Sequence, residues 1–257
     1  MVESIETQPL LTIGKQLLSR LYKYVGVTSA LPGQFEPSVL RDLYLVIMAT
    51  RLYHIYHSYF RYDYNVTSAD KAPLYHADNS SWTPKKPDLT LHTGTDNTAP
   101  IVAVCKFIHF SRHCKVGLGD PENVNNILWE DLLCQGYTHS KYRWQMPVRG
   151  GASDRRSYVW KRTTSVGVNN SSPSKFSADN YKLVDEQTEQ VVAVYSSSSH
   201  KSVGKSGKLE ILVDHGQDFD VVVLITALAV IEKHRRRNQS STAAGGGAAA
   251  GGGGGGC

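Results

Sequence analysis

The segment Asp218-Phe-Asp-Val-Val-Val-Leu-Ile-Thr-Ala-Leu-Ala-Val-Ile-Glu-Lys-His-Arg-Arg-Arg237 constrains this chain more than any other. Acidic residues at its start and basic residues at its end suit the two poles of a helix dipole, and Asp218 or Asp220 can cap the first turn. Between those ends the helix is apolar on every side. Such a helix must be surrounded, by protein or by lipid. The uncharged run Val221–Ile231 has eleven residues. It rises only about 16 Å, whereas a bilayer span needs about 20 residues. The remaining solution is a helix threaded through the middle of a β-barrel.

The rest of the 257-residue chain agrees with that solution. From about Tyr56 to His215, short runs rich in Val, Ile, Thr, Tyr and Trp alternate with Gly, Pro, Asn, Asp and Ser clusters. Expected strands are Tyr59–Val66, Leu89–His92, Ile101–Phe110, Val116–Leu118, Ile127–Leu133, Tyr137–Gln145, Arg156–Arg162, Lys182–Asp185, Val191–Tyr195 and Lys208–Val213. No helical stretches interleave them, which excludes a doubly wound α/β fold. Leu40–Ile55 is apolar but interrupted by Arg41, Asp42, Arg51 and His54, and periodicity leaves it open between helix and strand. Thr12–Val25 reads as an amphipathic helix, with Ile13, Leu17, Leu18, Leu21, Tyr22 and Val25 on one face. That face can dock on the main domain or lie on a membrane surface.

The expected organisation is therefore a helical extension over 1–39, a barrel domain over 40–237 with its central helix at 219–236, and a disordered tail over 238–257. Ala243 to Cys257 holds nine of the 22 glycines, and such a tail cannot bury enough apolar surface to offset its ordering entropy. Residues 1–30 lack a secretory layout, and four cysteines in a chain this long are no disulfide framework. The expectation is a soluble cytoplasmic protein, possible at a membrane periphery.

Charge is uneven. The chain carries +5 overall, yet Lys141 to Arg162 holds seven basic residues against Asp154 alone. Lys201, Lys205 and Lys208 form a second cluster in a Ser/Gly-rich loop, and Arg235–Arg237 a third. Basic loops suit phosphates on lipids or nucleic acids, although a solvated, soluble surface is the more ordinary reason for them.

Three segments carry a family resemblance: Tyr158-Val-Trp-Lys-Arg-Thr163, Asn180-Tyr-Lys-Leu-Val-Asp-Glu-Gln-Thr-Glu-Gln-Val-Val-Ala-Val-Tyr195, and Gly207-Lys-Leu-Glu-Ile211 followed by the apolar helix. Their order resembles the tubby C-terminal-like superfamily, which includes tubby-like proteins, phospholipid scramblases and LURP-one-related proteins, and more narrowly its uncharacterised members from filamentous fungi. The resemblance implies a mainly β fold, a closed antiparallel barrel of about twelve strands around a hydrophobic C-terminal helix. It also implies binding rather than catalysis, because tubby-like proteins bind phosphoinositide head groups through basic side chains. The cysteine-rich, calcium-binding and proline-rich segments of scramblases have no counterpart here.

The expected function is a non-enzymatic module for anionic phospholipid or phosphoinositide, engaged through Lys201, Lys205, Lys208, Lys141, Arg143, Arg155, Arg156, Lys161 and Arg162. The alternative is a protein-interaction or transcription-linked scaffold using the same basic face on an acidic protein or DNA. No cofactor is expected. Cys105 and His109 on a strand lie too far apart for one metal ion, and no nucleophile elbow, phosphate loop or dinucleotide fingerprint occurs.

Overall fold

The computed structural model describes residues 50–246, apart from 59–61, 81–82, 84, 124–125, 137–138, 148–154, 172, 174–178 and 199–204. The expected N-terminal extension and residues 40–49 lie outside this set, as do Lys201 and the tail from 247. Twelve strands appear: β1 (Arg51–His57), β2 (Tyr64–Thr67), β3 (Pro73–Asn79), β4 (Leu89–Thr93), β5 (Ile101–Phe107), β6 (Cys114–Leu118), β7 (Leu128–Gln135), β8 (Lys141–Pro147), β9 (Arg155–Arg162), β10 (Tyr181–Asp185), β11 (Val191–Ser197) and β12 (Lys205–Ile211). Each pairs antiparallel with its sequence neighbours, and β1 pairs with β12 to close the barrel. Closure leaves no strand edge for another chain to extend.

One helix, α1 (Gln217–Gly246), follows the last strand. Residues 219–230 are buried without interruption, so the lumen surrounds the helix on all sides as its apolar composition requires. Alternation along the strands supplies the matching wall. Tyr142, Trp144 and Met146 on β8 and Tyr158 and Trp160 on β9 face inward and are buried. Near the helix start, Trp144 and Tyr158 lie 4.8 Å apart between centroids, and the Tyr158 edge meets Phe219 at 5.2 Å. Deeper in, Trp160 Nε1 donates to Thr226 Oγ1 at 3.0 Å, and that hydroxyl donates to the Val223 carbonyl at 3.0 Å. A polar threonine is thus tolerated mid-helix because both its hydrogen-bonding roles are filled.

The helix is anchored at both mouths. At its entry, Arg51 pairs with Asp220, donating from Nη2 to Oδ1 at 2.7 Å, and Tyr53 donates to the other oxygen at 3.3 Å. Burial raises the Asp220 carboxyl above its ordinary value, against the pull of Arg51 and Tyr53. At its exit, the fully buried Glu232 accepts from Tyr64 Oη at 2.7 Å, from both Arg235 donors at 2.6 and 2.7 Å, and from Arg236 Nε at 2.7 Å.

Several sequence expectations need correction. The helix runs from Gln217 to Gly246 rather than over 219–236, so part of the expected disordered tail is helical. Adding residues to an already nucleated helix avoids the nucleation cost, and Ala243 and Ala244 have the best intrinsic propensity. Asp218 and Asp220 sit inside the first turn rather than capping it, because Gly216 and the Asp214 side chain make the preceding turn, with Gly216 N donating to Asp214 Oδ1 at 3.2 Å. The ambiguous segment ends in β1, and β3 was not expected at all.

Gly207 lies within β12 rather than in a turn. A Cβ there would come within 2.5 Å of the Ser196 carbonyl oxygen and 2.6 Å of the Tyr195 hydroxyl. Gly207→Ala is expected to destabilise by about 1–3 kcal/mol through overpacking, read as a lower urea midpoint with unchanged slope.

A basic mouth with a projecting aromatic turn

The exit mouth of α1 gathers cations from three elements. Lys85 and Lys86 come from the β3–β4 connection, Lys106 from β5, and Lys233, Arg236 and Arg237 from the helix. Together with Phe107, Ile108, Phe110, His109 and His139 they line one cleft, in which Asp88 is the one carboxylate among the described lining residues.

The fixed part of this site is built around Phe107. The Lys233 ammonium lies 5.3 Å from its ring centroid and the Arg236 guanidinium 4.7 Å. Both distances fall within cation–π range. Arg236 is further held by Asp88 Oδ1 at 2.7 Å and Asn79 Oδ1 at 2.6 Å. Asp88 Oδ2 in turn accepts from the Phe107 amide at 2.7 Å. Lys233 Nζ donates to the carbonyls of Ser111 and His113, each at 3.0 Å. Those carbonyls belong to the tight β5–β6 turn, so the helix clamps the turn.

That turn presents an unusual side chain. Phe110 is fully exposed at 111% relative accessibility, and its φ of +55° is left-handed. A bulky residue at positive φ is a genuine outlier, costing about 1–3 kcal/mol. Ile108 beside it is also exposed. Tyr62, at φ +60° and likewise exposed, stands over Arg235 at 4.8 Å. The strand expected over Ile101–Phe110 therefore ends at Phe107, because the remaining residues form this clamped turn.

Lys85, Lys86, Lys106 and Arg237 line the same cleft, with the Lys106 ammonium 5.0 Å from the Trp129 ring centroid. His139 registers the resulting field. Burial lowers its pKa from the ordinary value, and Arg237, Arg112 and Lys233 lower it further by charge repulsion.

Of the nine basic residues singled out in the sequence, Lys201 lies outside the described residues, and the other eight do not gather in one place. Arg143 pairs with Glu186 at 2.6 Å, Arg155 with Glu130, and Arg156 with Asp185 at 3.4 Å. Their positive charge is thereby largely answered on the barrel itself. Arg162 Nη2 lies 2.9 Å from His234 Nε2 at the exit mouth. Lys141 and Lys161 are directly opposed across β8 and β9, and Lys182 stands next to Lys161 on β10. Lys208 faces Ser196 and His54 across its two neighbouring strands. Lys205 opens β12. Of the cations lining the cleft, only Arg236 and Arg237 belonged to a cluster that stood out in the sequence. Lys85, Lys86 and Lys106 are too far from one another or from the helix in sequence to read as one group.

A family model described as a family of unknown function, DUF6593, matches residues 62–237. The chain belongs to DUF6593. The matched span runs from the loop before β2 through the clamped exit of α1, so it takes in β2–β12 and the basic mouth of this DUF6593 protein but not β1. No curated protein matches the chain. Among solved structures, an X-ray structure of the Arabidopsis thaliana protein AT5G01750 is similar at 8% identity and a TM-score of 0.38, covering 70% of this chain and 89% of that one. No helix of the described residues is long and apolar enough to cross a membrane.

Proposed function

We propose that this DUF6593 protein is a non-catalytic module that docks its basic mouth on anionic membrane lipid, with Phe110 and Ile108 entering the interface. The observation that carries the reading is the pairing of a fully exposed phenylalanine on a clamped, strained turn with a lysine- and arginine-lined cleft. An apolar tip and surrounding cations match the two attractions of an anionic bilayer: burial of apolar surface and attraction to negative head groups. The buried carboxylates Asp220 and Glu232 are engaged by arginine and tyrosine in holding the helix. The likeness of the sequence to tubby-like proteins, including fungal members, points to phosphoinositide among the anionic lipids.

The test is co-sedimentation of the full chain with phosphatidylcholine vesicles, alone or containing phosphatidylserine or a phosphoinositide, at low and physiological salt. Binding should require anionic lipid and weaken as salt rises. Each lysine or arginine near an anionic surface contributes about 1 kcal/mol, so replacing Lys85, Lys86 and Arg237 together by Ser should weaken binding on the order of 100-fold. Phe110→Ala should weaken it by about tenfold, from lost apolar burial. If replacing Lys201, Lys205 and Lys208 abolishes binding while the mouth variants bind normally, the mouth is not the docking face. Absence of binding at low salt refutes the lipid reading altogether.

A further inference from the structure

Beside the mouth, on the outer wall of the barrel, β2, β3 and β4 bring two histidines and two aspartates together. Asn65, His76 and His92 lie in one cross-strand row, with Asn65 paired to His76 and His76 to His92. Asp78 follows two residues after His76 on the same face of β3. Asp63 stands just before β2, where one of its oxygens accepts from the Asn79 amide at 3.2 Å.

The hydrogen bonds of the two imidazoles set their free nitrogens. His92 Nδ1 lies 2.8 Å from the Ala99 carbonyl oxygen. A carbonyl only accepts, so Nδ1 carries the proton and the Nε2 of the neutral ring carries a lone pair. His92 is 4% exposed, and its Nε2 is buried with no hydrogen-bond partner among the described residues. That nitrogen is aimed at Asp78 Oδ2, 3.6 Å away. His76 repeats the arrangement: Nδ1 lies 2.8 Å from Asn65 Oδ1, and Nε2 lies 3.1 Å from Asp78 Oδ1. With both rings neutral, the Nε2 lone pairs of His76 and His92 face the two oxygens of Asp78, with no Nε2 hydrogen between them. Either a proton on Nε2 or a bound cation joins such a set of donors.

We infer that Asp63, His76, Asp78 and His92 form a binding site for a first-row divalent cation of the zinc class. Ligand atoms of Asp63, His76 and Asp78 all lie within 4.8 Å of one another, and His92 stands outside that trio, reaching it through Asp78 at 3.6 Å. Bonds of about 2.0–2.2 Å from zinc to nitrogen and oxygen place tetrahedral ligands about 3.3 Å apart, close to the 3.1 and 3.6 Å separations already present. Two carboxylates and two imidazoles give a neutral complex with a doubly charged ion, and this mixed donor set suits zinc or its neighbours better than calcium or magnesium. The Nδ1 contacts to Ala99 and Asn65 are the outer partners that fix ring tautomer and orientation around a bound metal. Asp63, Asp78 and His92 also line an open cleft, which gives an ion its path in. The site is independent of the lipid reading.

The test is titration of the tag-free, chelator-treated full chain with Zn2+ by calorimetry, and with Co2+ followed by its visible absorption. The expected result is one saturable site per chain, a rise in melting temperature on adding Zn2+, and a tetrahedral Co2+ spectrum. His76→Gln and His92→Gln should each remove that step, whereas His109→Gln, on the exposed β5–β6 turn, should retain it. Asn65 is exposed, so Asn65→Ala should fold normally and bind about tenfold more weakly. Absence of a one-to-one step in the wild-type chain overturns the inference. Its persistence in both His76→Gln and His92→Gln, or full affinity in Asn65→Ala, does so as well.

Discussion

Ala229→Asp is expected to leave no folded, soluble protein. Ala229 has no accessible surface and sits near the end of the buried stretch of α1, with the barrel wall around it. The nearest cation along the helix, Lys233 one turn on, is already held by the carbonyls of Ser111 and His113, and burying an unpaired charge costs several kcal/mol even after the group neutralises itself. A domain of this size holds only about 5–15 kcal/mol of stability. Ala229→Gly is the control that removes the methyl without adding charge, at a cost of about 1 kcal/mol. The check is far-ultraviolet circular dichroism and urea unfolding of both variants. A folded Ala229→Asp protein with a near wild-type midpoint means that the helix does not occupy the lumen.

Glu232→Ala is expected to cost about 3–5 kcal/mol, because it strands Arg235 and Arg236 at a site built around their carboxylate partner. It also unties Tyr64, whose hydroxyl donates to Glu232 at 2.7 Å. The same residue makes a pH prediction. Burial opposes ionisation of Glu232, but hydrogen bonds from Arg235, Tyr64 and Asn79 outweigh it and hold the carboxyl below its ordinary value of 4.5. A depressed folded pKa means that the unfolded chain takes up the proton first as pH falls. The stabilisation is therefore complete above the unfolded carboxyl's pKa and is lost progressively below it, through the lower folded pKa. In urea titrations from about pH 6 to about pH 3, the midpoint of Glu232→Gln should fall less steeply than that of the wild type. Parallel slopes would contradict the assigned role.

The central architecture was legible because one segment admits a single solution. A run apolar on all faces, too short for a bilayer and edged by charges, has to be enclosed by its own protein, and twelve strands do enclose it. Ten strands were readable from alternation and turn chemistry. The exceptions have specific physical causes. In β3, Pro-Leu-Tyr-His-Ala-Asp-Asn, only Ala77 is fully buried, and the opposite face carries His76 and Asp78, so no hydrophobic period of two exists to be seen. In β1, Arg51 looks foreign to a buried strand because its partner, Asp220, lies 169 residues away.

The site was much less legible than the fold. A count of charge along the chain rewards Lys141–Arg162, but Glu130, Asp185 and Glu186 reach three of those arginines across neighbouring strands. The mouth draws instead on Lys85, Lys106 and Arg237, residues that only the closed barrel brings together. Phe110 was hidden for a related reason. Within Ile101-Val-Ala-Val-Cys-Lys-Phe-Ile-His-Phe110 it reads as strand core, and only the clamp from Lys233 to Ser111 and His113 turns it outward.

The most direct measurement places an environment-sensitive fluorophore on the projecting turn. Phe110→Cys in a Cys257→Ser background offers an exposed thiol, since Cys105, Cys114 and Cys134 are buried. A second protein carries the label at Gln187, exposed on the β10–β11 turn. The alternating antiparallel path of the strands puts that turn at the helix-entry mouth. On adding anionic vesicles, the account predicts a blue shift and brighter emission from position 110, reversed by high salt, with position 187 unchanged. An unchanged spectrum at 110 on vesicles that sediment the protein, or an equal shift at 187, would contradict docking through the basic mouth.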